Sequence, residues 1–169
     1  KIYLNFKKKI SNNISNNFCV AVSGGADSVA LSFLAKCYSI EKNKKVYFFI
    51  VDHLLRENST LEANVVKKKL KKFKINCDIL TLKKKIKNSN LQSFARDNRY
   101  KLIFKQSLKK KIDTVLTAHH RDDLVENFYI RLLRGSGLKG LISFGKIESK
   151  LKSDDKISIL RPLIDISKK

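Results

Sequence analysis

Short apolar runs alternate with longer amphipathic stretches along most of this 169-residue chain. Residues 46–51 (Val-Tyr-Phe-Phe-Ile-Val) are apolar throughout, which predicts a strand covered on both faces of a sheet. Shorter runs rich in apolar and β-branched residues predict further strands at 18–22, 75–82, 112–117 and 157–160. Helical periodicity predicts helices at about 27–40, 61–73, 91–109 and 121–133, whereas 135–156 is rich in loop signals.

The order of these elements predicts an α/β fold. Repeated strand–helix–strand units build a doubly wound, Rossmann-like parallel sheet, here of about five strands, with helices on both faces. The length fits one domain with a proper core. In such a sheet ligands bind beyond the carboxyl ends of the strands, where the strand order reverses. Polar residues that directly follow a strand are therefore the candidates for a functional site.

The first such segment is Ser-Gly-Gly-Ala-Asp-Ser at 23–28, between a predicted strand and a predicted helix. Adjacent glycines let a ligand approach the main chain, and the N–H groups at a helix start attract anions. A carboxylate at Asp27 beside phosphates is explained by a bridging Mg²⁺. The alternative is an ordinary strand-to-helix turn capped by a serine. In the nucleotide interpretation, Gly24 and Gly25 open the main chain to phosphates, Ser23 and Ser28 add hydroxyl donors, and Asp27 contacts the metal ion.

The second segment follows the 46–51 strand. Asp52 and His53 could contact a nucleotide, and Arg56 an RNA phosphate or a triphosphate. The alternative is a polar strand end in which Asp52 caps the next turn, and this segment taken alone favours it.

The third segment places two imidazoles and two carboxylates at the start of the helix at 121–133. A single carboxylate there would be explained by capping, but His119, His120, Asp122 and Asp123 together exceed what a cap requires. Such a cluster could hold Mg²⁺ or bind the ammonium of an amine substrate. All three histidines of the chain thus follow predicted strands, which predicts one shared edge.

Arginines supply the candidate anion contacts. Gln92, Arg96 and Arg99 fall on one face of a predicted helix, a spacing that suits phosphates or an exposed basic stripe. Arg134 precedes a glycine-rich stretch that could close over nucleotide or RNA, or simply end the helix.

Composition narrows the class of protein. The net charge of +22 favours a nucleic-acid partner, although the abundance of lysine, asparagine and isoleucine also fits a bias in the coding DNA. No apolar run has the length of a membrane span, and no signal-peptide pattern opens the chain. Cys19, Cys37 and Cys77 have no Cys-x-x-Cys spacing, which predicts small buried residues in a reducing compartment, the cytoplasm or an organelle interior.

Six segments in this order resemble the catalytic domain of the tRNA(Ile)-lysidine synthetase family, in the ATP pyrophosphatase (PP-loop) superfamily. The resemblance covers about 18–165 and rests on 23–28, 51–56, 92–100, 117–123, 133–141 and 161–163. It implies the adenine nucleotide alpha hydrolase type of fold, and ATP and Mg²⁺ as cofactors. The implied reaction adenylates C2 of the wobble cytidine in a CAU-anticodon isoleucine tRNA, after which free lysine displaces AMP.

The resemblance also implies a role for each candidate. Residues 23–28 would bind ATP, with Asp27 and Asp123 as magnesium contacts and with Asp52 and His53 near the nucleotide. The catalytic set would be Asp27, His119, His120, Asp122 and Asp123. RNA or phosphate would meet Arg56, Arg96, Arg99 and Arg134.

Two features depart from the family pattern. Asn127 stands where the family usually has threonine, and the sequence stops soon after Arg161-Pro-Leu163. We therefore expect 1–169 to be a single N-terminal catalytic domain, incomplete at its C-terminal end. The alternatives are a tRNA 2-thiocytidine synthetase, whose family needs Cys-x-x-Cys pairs, and a nucleotide- or RNA-binding module without catalysis. Oligomeric state is left open.

Overall fold

The computed structural model describes residues 1–14, 17–54, 57–82, 91–135, 148–151 and 154–167, with the backbone alone at 91–94, 148–151 and 154–156. Its helices are α1 (Ile2–Ser11), α2 (Ala26–Glu41), α3 (Ser59–Lys71), α4 (Leu91–Lys109) and α5 (Arg121–Leu133). Its strands are β1 (Phe18–Val22), β2 (Val46–Asp52), β3 (Cys77–Thr81), β4 (Thr114–Leu116), β5 (Glu148–Leu151) and β6 (Asp154–Leu160).

The strands form one sheet in the order β3-β2-β1-β4-β6-β5. The first five in this order run parallel, which confirms the doubly wound parallel sheet of about five strands. β5 is an additional edge strand that pairs antiparallel with β6. The strand order reverses between β1 and β4, because the chain builds outward from β1 to β2 and β3 and then returns to the other side.

Two elements were not predicted. α1 buries only Phe6 and Ile10 fully, and lysines separate them, so its apolar stripe is too thin to detect. β5 lies in the stretch predicted to be loop-rich, because Glu-Ser-Lys-Leu has no strand-like composition and is extended by pairing with β6. The same pairing starts β6 at Asp154, earlier than its apolar residues indicate.

Helices cover both faces of the sheet, as predicted. On one face Phe18 and Val20 pack with buried residues of α1, α2 and α3, such as Phe6, Leu31 and Leu70. The opposite face carries a second cluster of buried residues, from β1, β2, α4, β4, β6 and the segment between α4 and β4: Cys19, Phe49, Ile103, Phe104, Ile112, Val115, Ile157 and Ile159. This two-sided burial explains why the strands are continuous apolar runs instead of alternating ones.

The cysteine prediction is partly wrong. Cys19 and Cys77 are buried, but Cys37 is exposed on α2, and all three are free thiols. Within the described ranges, no helix combines the length and the apolar character that crossing a membrane would require.

Candidate functional site

The polar segments converge at the carboxyl edge of the parallel strands. The segment 23–28, here called the glycine loop, follows β1, Asp52 ends β2, and His119 follows β4, while Arg161 follows β6. The point between β1 and β4 is where the strand order reverses, so the crevice expected of this fold lies between the glycine loop and the two histidines.

The glycine loop has a backbone that only glycine tolerates at one position. Gly24 has φ +89°, and a Cβ there would lie 2.7 Å from Cγ2 of Val66 on α3. Gly25, by contrast, is the N-cap of α2 with φ −71°, and the nearest atom to an added Cβ is 3.8 Å away. The close packing of Gly24 on α3 therefore sets the path of the loop.

Ser28 holds the loop closed. Its Oγ accepts a hydrogen bond from Gly24 N (3.1 Å) and donates to Gly25 O (2.8 Å), and the side chain is buried. Ser23, Gly25 and Ala26 are exposed. The first bond within α2 runs from Val29 N to Gly25 O, so the N–H groups before Val29 have no partner in the helix ladder. These N–H groups and the Ser23 hydroxyl are the donors that an anion can reach.

Both carboxylate oxygens of Asp52 accept hydrogen bonds from neighbouring groups of the protein. Its Oδ1 accepts hydrogen bonds from Ser59 Oγ (2.7 Å) and Leu54 N (3.0 Å), and Oδ2 accepts one from Thr60 Oγ1 (2.6 Å). Burial raises the pKa of this carboxyl, but the three hydrogen bonds outweigh burial and lower it below its ordinary value. Asp52 thus ties the end of β2 to the start of α3, as the capping alternative anticipated.

His120 organises the start of α5. It is the N-cap: its Nδ1 accepts from Asp122 N (3.2 Å), while its backbone N donates to Oδ2 of Asp123 (2.8 Å). A ring that accepts at Nδ1 carries its proton at Nε2. That Nε2 lies 3.5 Å from Oδ2 of Asp27 and 3.5 Å from Oδ2 of Asp123. The fold therefore brings together two carboxylates that are distant in sequence, from the first turns of α2 and α5.

His119 is held as a neutral imidazole. Its Nδ1 and the Thr117 hydroxyl are 3.0 Å apart. Burial and the nearby guanidinium groups of Arg161, Arg96 and Arg99 lower its pKa to about 4, against an opposing contribution from Asp123. Three guanidinium groups thus act on one ring, an arrangement suited to an anionic ligand.

Arg161 is a residue that sequence reasoning missed as a site residue. It is only 6% exposed, and burial and Arg96 lower its pKa, while Tyr100 acts in the opposite direction. The sequence did contain a signal for Arg161, because it directly follows the strand predicted at 157–160. Polar residues in that position after other strands were the ones chosen as candidates.

Two cavities meet at Ser23, the first residue of the glycine loop. The larger, of about 420 Å³, lies over β1 and β2 and has a mostly apolar wall; it also includes Ser23, Asp52, His53 and Arg99. The smaller, of about 320 Å³, lies on the β4 side and is lined by Ser23, Gly25, Asp27, Ser28, Arg96, Arg99, Tyr100, Thr117, His119 and Asp123, with two alanines. Ala21, Ser23 and Arg99 line both cavities.

Some candidates are not part of this assembly. Arg134 is exposed and directly follows the last residue of α5. Because His120 directly precedes this 13-residue helix, Arg134 and His120 lie about 20 Å apart. Asp122 lines neither cavity, and its Oδ2 lies 3.8 Å from Nδ1 of His120. Arg56 and the side chain of Gln92 lie outside the described residues.

The low pKa of His119 predicts a pH dependence of stability. The unfolded chain takes up this proton near pH 6.5 and the folded chain only near pH 4, so the free energy of unfolding falls as the pH drops through that window. This group contributes up to about 3 kcal/mol of that fall. His119→Asn keeps a polar partner for Thr117 but does not titrate, so urea unfolding at several pH values should show a shallower slope between pH 6.5 and 4. An unchanged slope would contradict the assignment.

Asp52 does not interfere with this measurement. Its pKa is lowered from an ordinary value of 3.8, so the stability that it contributes is lost at pH values below the window. His53 contributes a fall in the free energy of unfolding of the same sign as that of His119, because burial and Arg99 lower the pKa of His53 as well. Some slope therefore remains in the variant.

The fold and the site define a class of protein. A family model described as the PP-loop domain matches residues 1–169, and the chain belongs to that family. Membership of this ATP-utilising family implies use of ATP.

Relatives narrow the comparison. The chain is 39% identical over 171 aligned residues to a tRNA(Ile)-lysidine synthase of Rickettsia conorii, and 40% identical to that of Rickettsia akari. Each alignment covers 99% of this chain, but only 35% and 39% of the respective relative, so the chain spans little more than a third of their length. Among solved structures, a U34-tRNA thiolase of Methanococcus maripaludis superposes with a TM-score of 0.79 at 20% identity. That alignment covers 98% of this chain and 59% of the thiolase, and shows a shared fold.

Proposed function

We propose that this chain is the ATP-using domain of an enzyme that converts the wobble cytidine of a CAU-anticodon isoleucine tRNA to lysidine. Similarity to lysidine synthases over 99% of the chain supports this proposal. The observation that carries it is the pair of cavities that share Ser23 of the glycine loop and Arg99, because the reaction needs a nucleotide and a second substrate at one phosphate.

The larger cavity suits the adenosine of ATP. Its wall includes Phe49, Ile50 and Val66, which offer apolar contact to a base. From there the triphosphate would extend along the glycine loop, where the N–H groups before Val29 face outward. Ser28 and Asp52 would support this site indirectly, since their polar atoms are already used in hydrogen bonds within the protein.

The smaller cavity suits the cytidine and its phosphates. Arg96 and Arg99 are exposed arginines, which bind phosphate through planar donors, and Tyr100 offers a ring on which a base can stack. Because His119 is neutral, it offers the base a hydrogen-bond partner without adding a positive charge to those of Arg96 and Arg99. Arg134, far along α5, would contact the tRNA at a distance from the reacting cytidine.

The donor set fits a magnesium ion. Mg²⁺ is usually bound by one or two carboxylates together with substrate phosphates, and Asp27 and Asp123 converge on one nitrogen beside the glycine loop. The described residues contain no group of three or more ligands, as a metal held mainly by the protein would require. Bound there, Mg²⁺ would offset the charge of the phosphates.

The proposed reaction has two steps. The oxygen on C2 of the cytidine attacks the α-phosphorus of ATP, and pyrophosphate leaves with the electrons of the broken bond. The ammonium of lysine then loses a proton to the solvent, the neutral amine attacks C2, and AMP leaves with the electrons of the C2–O bond. The N–H groups of the glycine loop, together with Arg96 and Arg99, would stabilise the negative charge that develops on the phosphates. Asp27 and Asp123 also offer negative charge to the ammonium of the incoming lysine.

The test is lysine incorporation by the full-length protein. Labelled lysine, ATP, Mg²⁺ and an isoleucine tRNA with a CAU anticodon should give labelled tRNA, with AMP and pyrophosphate in equal amounts. A tRNA whose wobble base is uridine is the matched control and should stay unlabelled. Labelling that is independent of ATP, or absent in every condition, would overturn the proposal.

The thiolase-like alternative has less support. Cys19 and Cys77 are buried in different clusters of the core, and Cys37 is exposed on a helix. In the same assay, transfer from a sulfur donor in place of lysine would favour a thiolase, and ATP binding without turnover would favour a binding module. Because the relatives modify tRNA, we propose the cytoplasm as the place of action.

A further inference from the structure

His53 and Arg99 form a direct contact across the site. Nε of Arg99, on α4, donates a hydrogen bond to Nε2 of His53 at the end of β2, with a distance of 3.1 Å. The two residues are 46 positions apart in the chain, so the contact is a product of the tertiary fold.

This contact fixes the protonation of the histidine ring. A ring that accepts at Nε2 is neutral and carries its proton at Nδ1. Burial and the charge of Arg99 lower the pKa of His53, which keeps the ring in the state that the contact needs. Among the described residues, Nδ1 is buried and has no hydrogen-bond partner. A buried donor without a partner is unfavourable, so within the described part of the chain the contact with Arg99 is what fixes the ring orientation.

The position of Arg99 indicates what the orientation of the His53 ring does. Its side chain is exposed and lines both cavities, whereas His53 lines only the larger one. The hydrogen bond uses the Nε–H and leaves the terminal N–H groups of the guanidinium for another partner. A long exposed arginine loses side-chain entropy when it binds an anion, and a contact that holds it in advance reduces that cost.

We propose that His53 is a positioning residue that holds the Arg99 guanidinium between the two cavities, ready for the phosphate that links the nucleotide to the RNA substrate. His53 acts through Arg99 and not by touching the reacting atoms. The inference rests on the proposed lysidine synthesis and deepens it, because it assigns separate tasks to two residues of that site.

A double-mutant cycle in the full-length protein tests this role. His53→Leu removes the acceptor and should lower kcat/KM for the tRNA about tenfold, while ATP binding measured by calorimetry changes less. His53→Gln offers a carboxamide oxygen to Arg99 and should keep kcat/KM within about threefold of the parent. If His53 acts only through Arg99, His53→Leu should have almost no further effect in an Arg99→Gln background. Equal losses in both backgrounds would overturn the inference.

A spectroscopic measurement separates this inference from the proposed function. Long-range ¹⁵N NMR of the histidine rings should show the proton of His53 at Nδ1 in the parent and a shift towards the Nε2–H form in Arg99→Gln. If the parent protein makes no lysidine, the proposed function fails, and the NMR result alone decides whether His53 holds Arg99. A tautomer that Arg99→Gln leaves unchanged would overturn the contact itself.

Discussion

Replacing Gly24 with alanine is expected to abolish ATP binding and to lower the free energy of unfolding by about 2–4 kcal/mol. Two independent penalties add up at this position. An alanine at φ +89° is in a region that L side chains rarely adopt, and its Cβ would lie 2.7 Å from Cγ2 of Val66. Any movement that relieves the contact displaces the glycine loop, whose N–H groups are the proposed phosphate donors. Urea unfolding and calorimetric titration with ATP measure the two effects separately.

Gly25→Ala is the matched control for this prediction. Gly25 has φ −71°, and an added Cβ would meet nothing closer than Ser23 Oγ at 3.8 Å, so the loss of stability should be small. The double variant Gly24→Ala/Val66→Ala removes the clash and leaves the backbone penalty, and should recover part of the lost stability. If Gly24→Ala and Gly25→Ala lower the free energy of unfolding equally, the loop path does not depend on the packing of Gly24 against α3.

Asp27→Asn and Asp123→Asn are each expected to reduce ATP-dependent pyrophosphate release by the full-length protein about 100-fold or more. Each variant removes one of the two carboxylates that converge on Nε2 of His120 beside the glycine loop. An amide is a far weaker ligand for Mg²⁺ than a carboxylate, so the magnesium concentration for half-maximal rate should also rise. The amide introduced by Asp123→Asn would still offer an oxygen to His120 N, and the α5 cap should survive. Thermal unfolding without ligand should therefore change little.

Asp122→Asn provides the comparison on the same helix. Asp122 neighbours Asp123, but it lines neither cavity and lies on the Nδ1 side of His120. We expect its rate to stay within about fivefold of the parent and its magnesium dependence to be unchanged. A loss at Asp122 as large as that at Asp123 would mean that the whole acidic turn, and not the pair with Asp27, carries the function.

Much of the fold could be predicted because its signals are local. Every residue of the run at 46–51 is apolar, so the run by itself predicts a buried strand. The glycine loop likewise lies between a strand pattern and a helix pattern. α1 and β5 were missed for the opposite reason, since their apolar stripe is thin or absent and they are stabilised by partners elsewhere in the chain. Arg134 shows a second limit: its motif stands near His120 in sequence, but a helix of 13 residues separates them.

The amino-acid sequence was sufficient to determine the α/β class, the five parallel strands and the edge at which the polar residues gather, because periodicity and element order are local properties. The tertiary structure alone decided which of those polar residues remain available to a ligand. Asp52 is bound by Ser59 and Thr60, and His53 by Arg99, while Asp27 meets Asp123 across His120. Those partners come from other elements of the fold, and a hydrogen bond or an ion pair depends on distance in space and not on position along the chain.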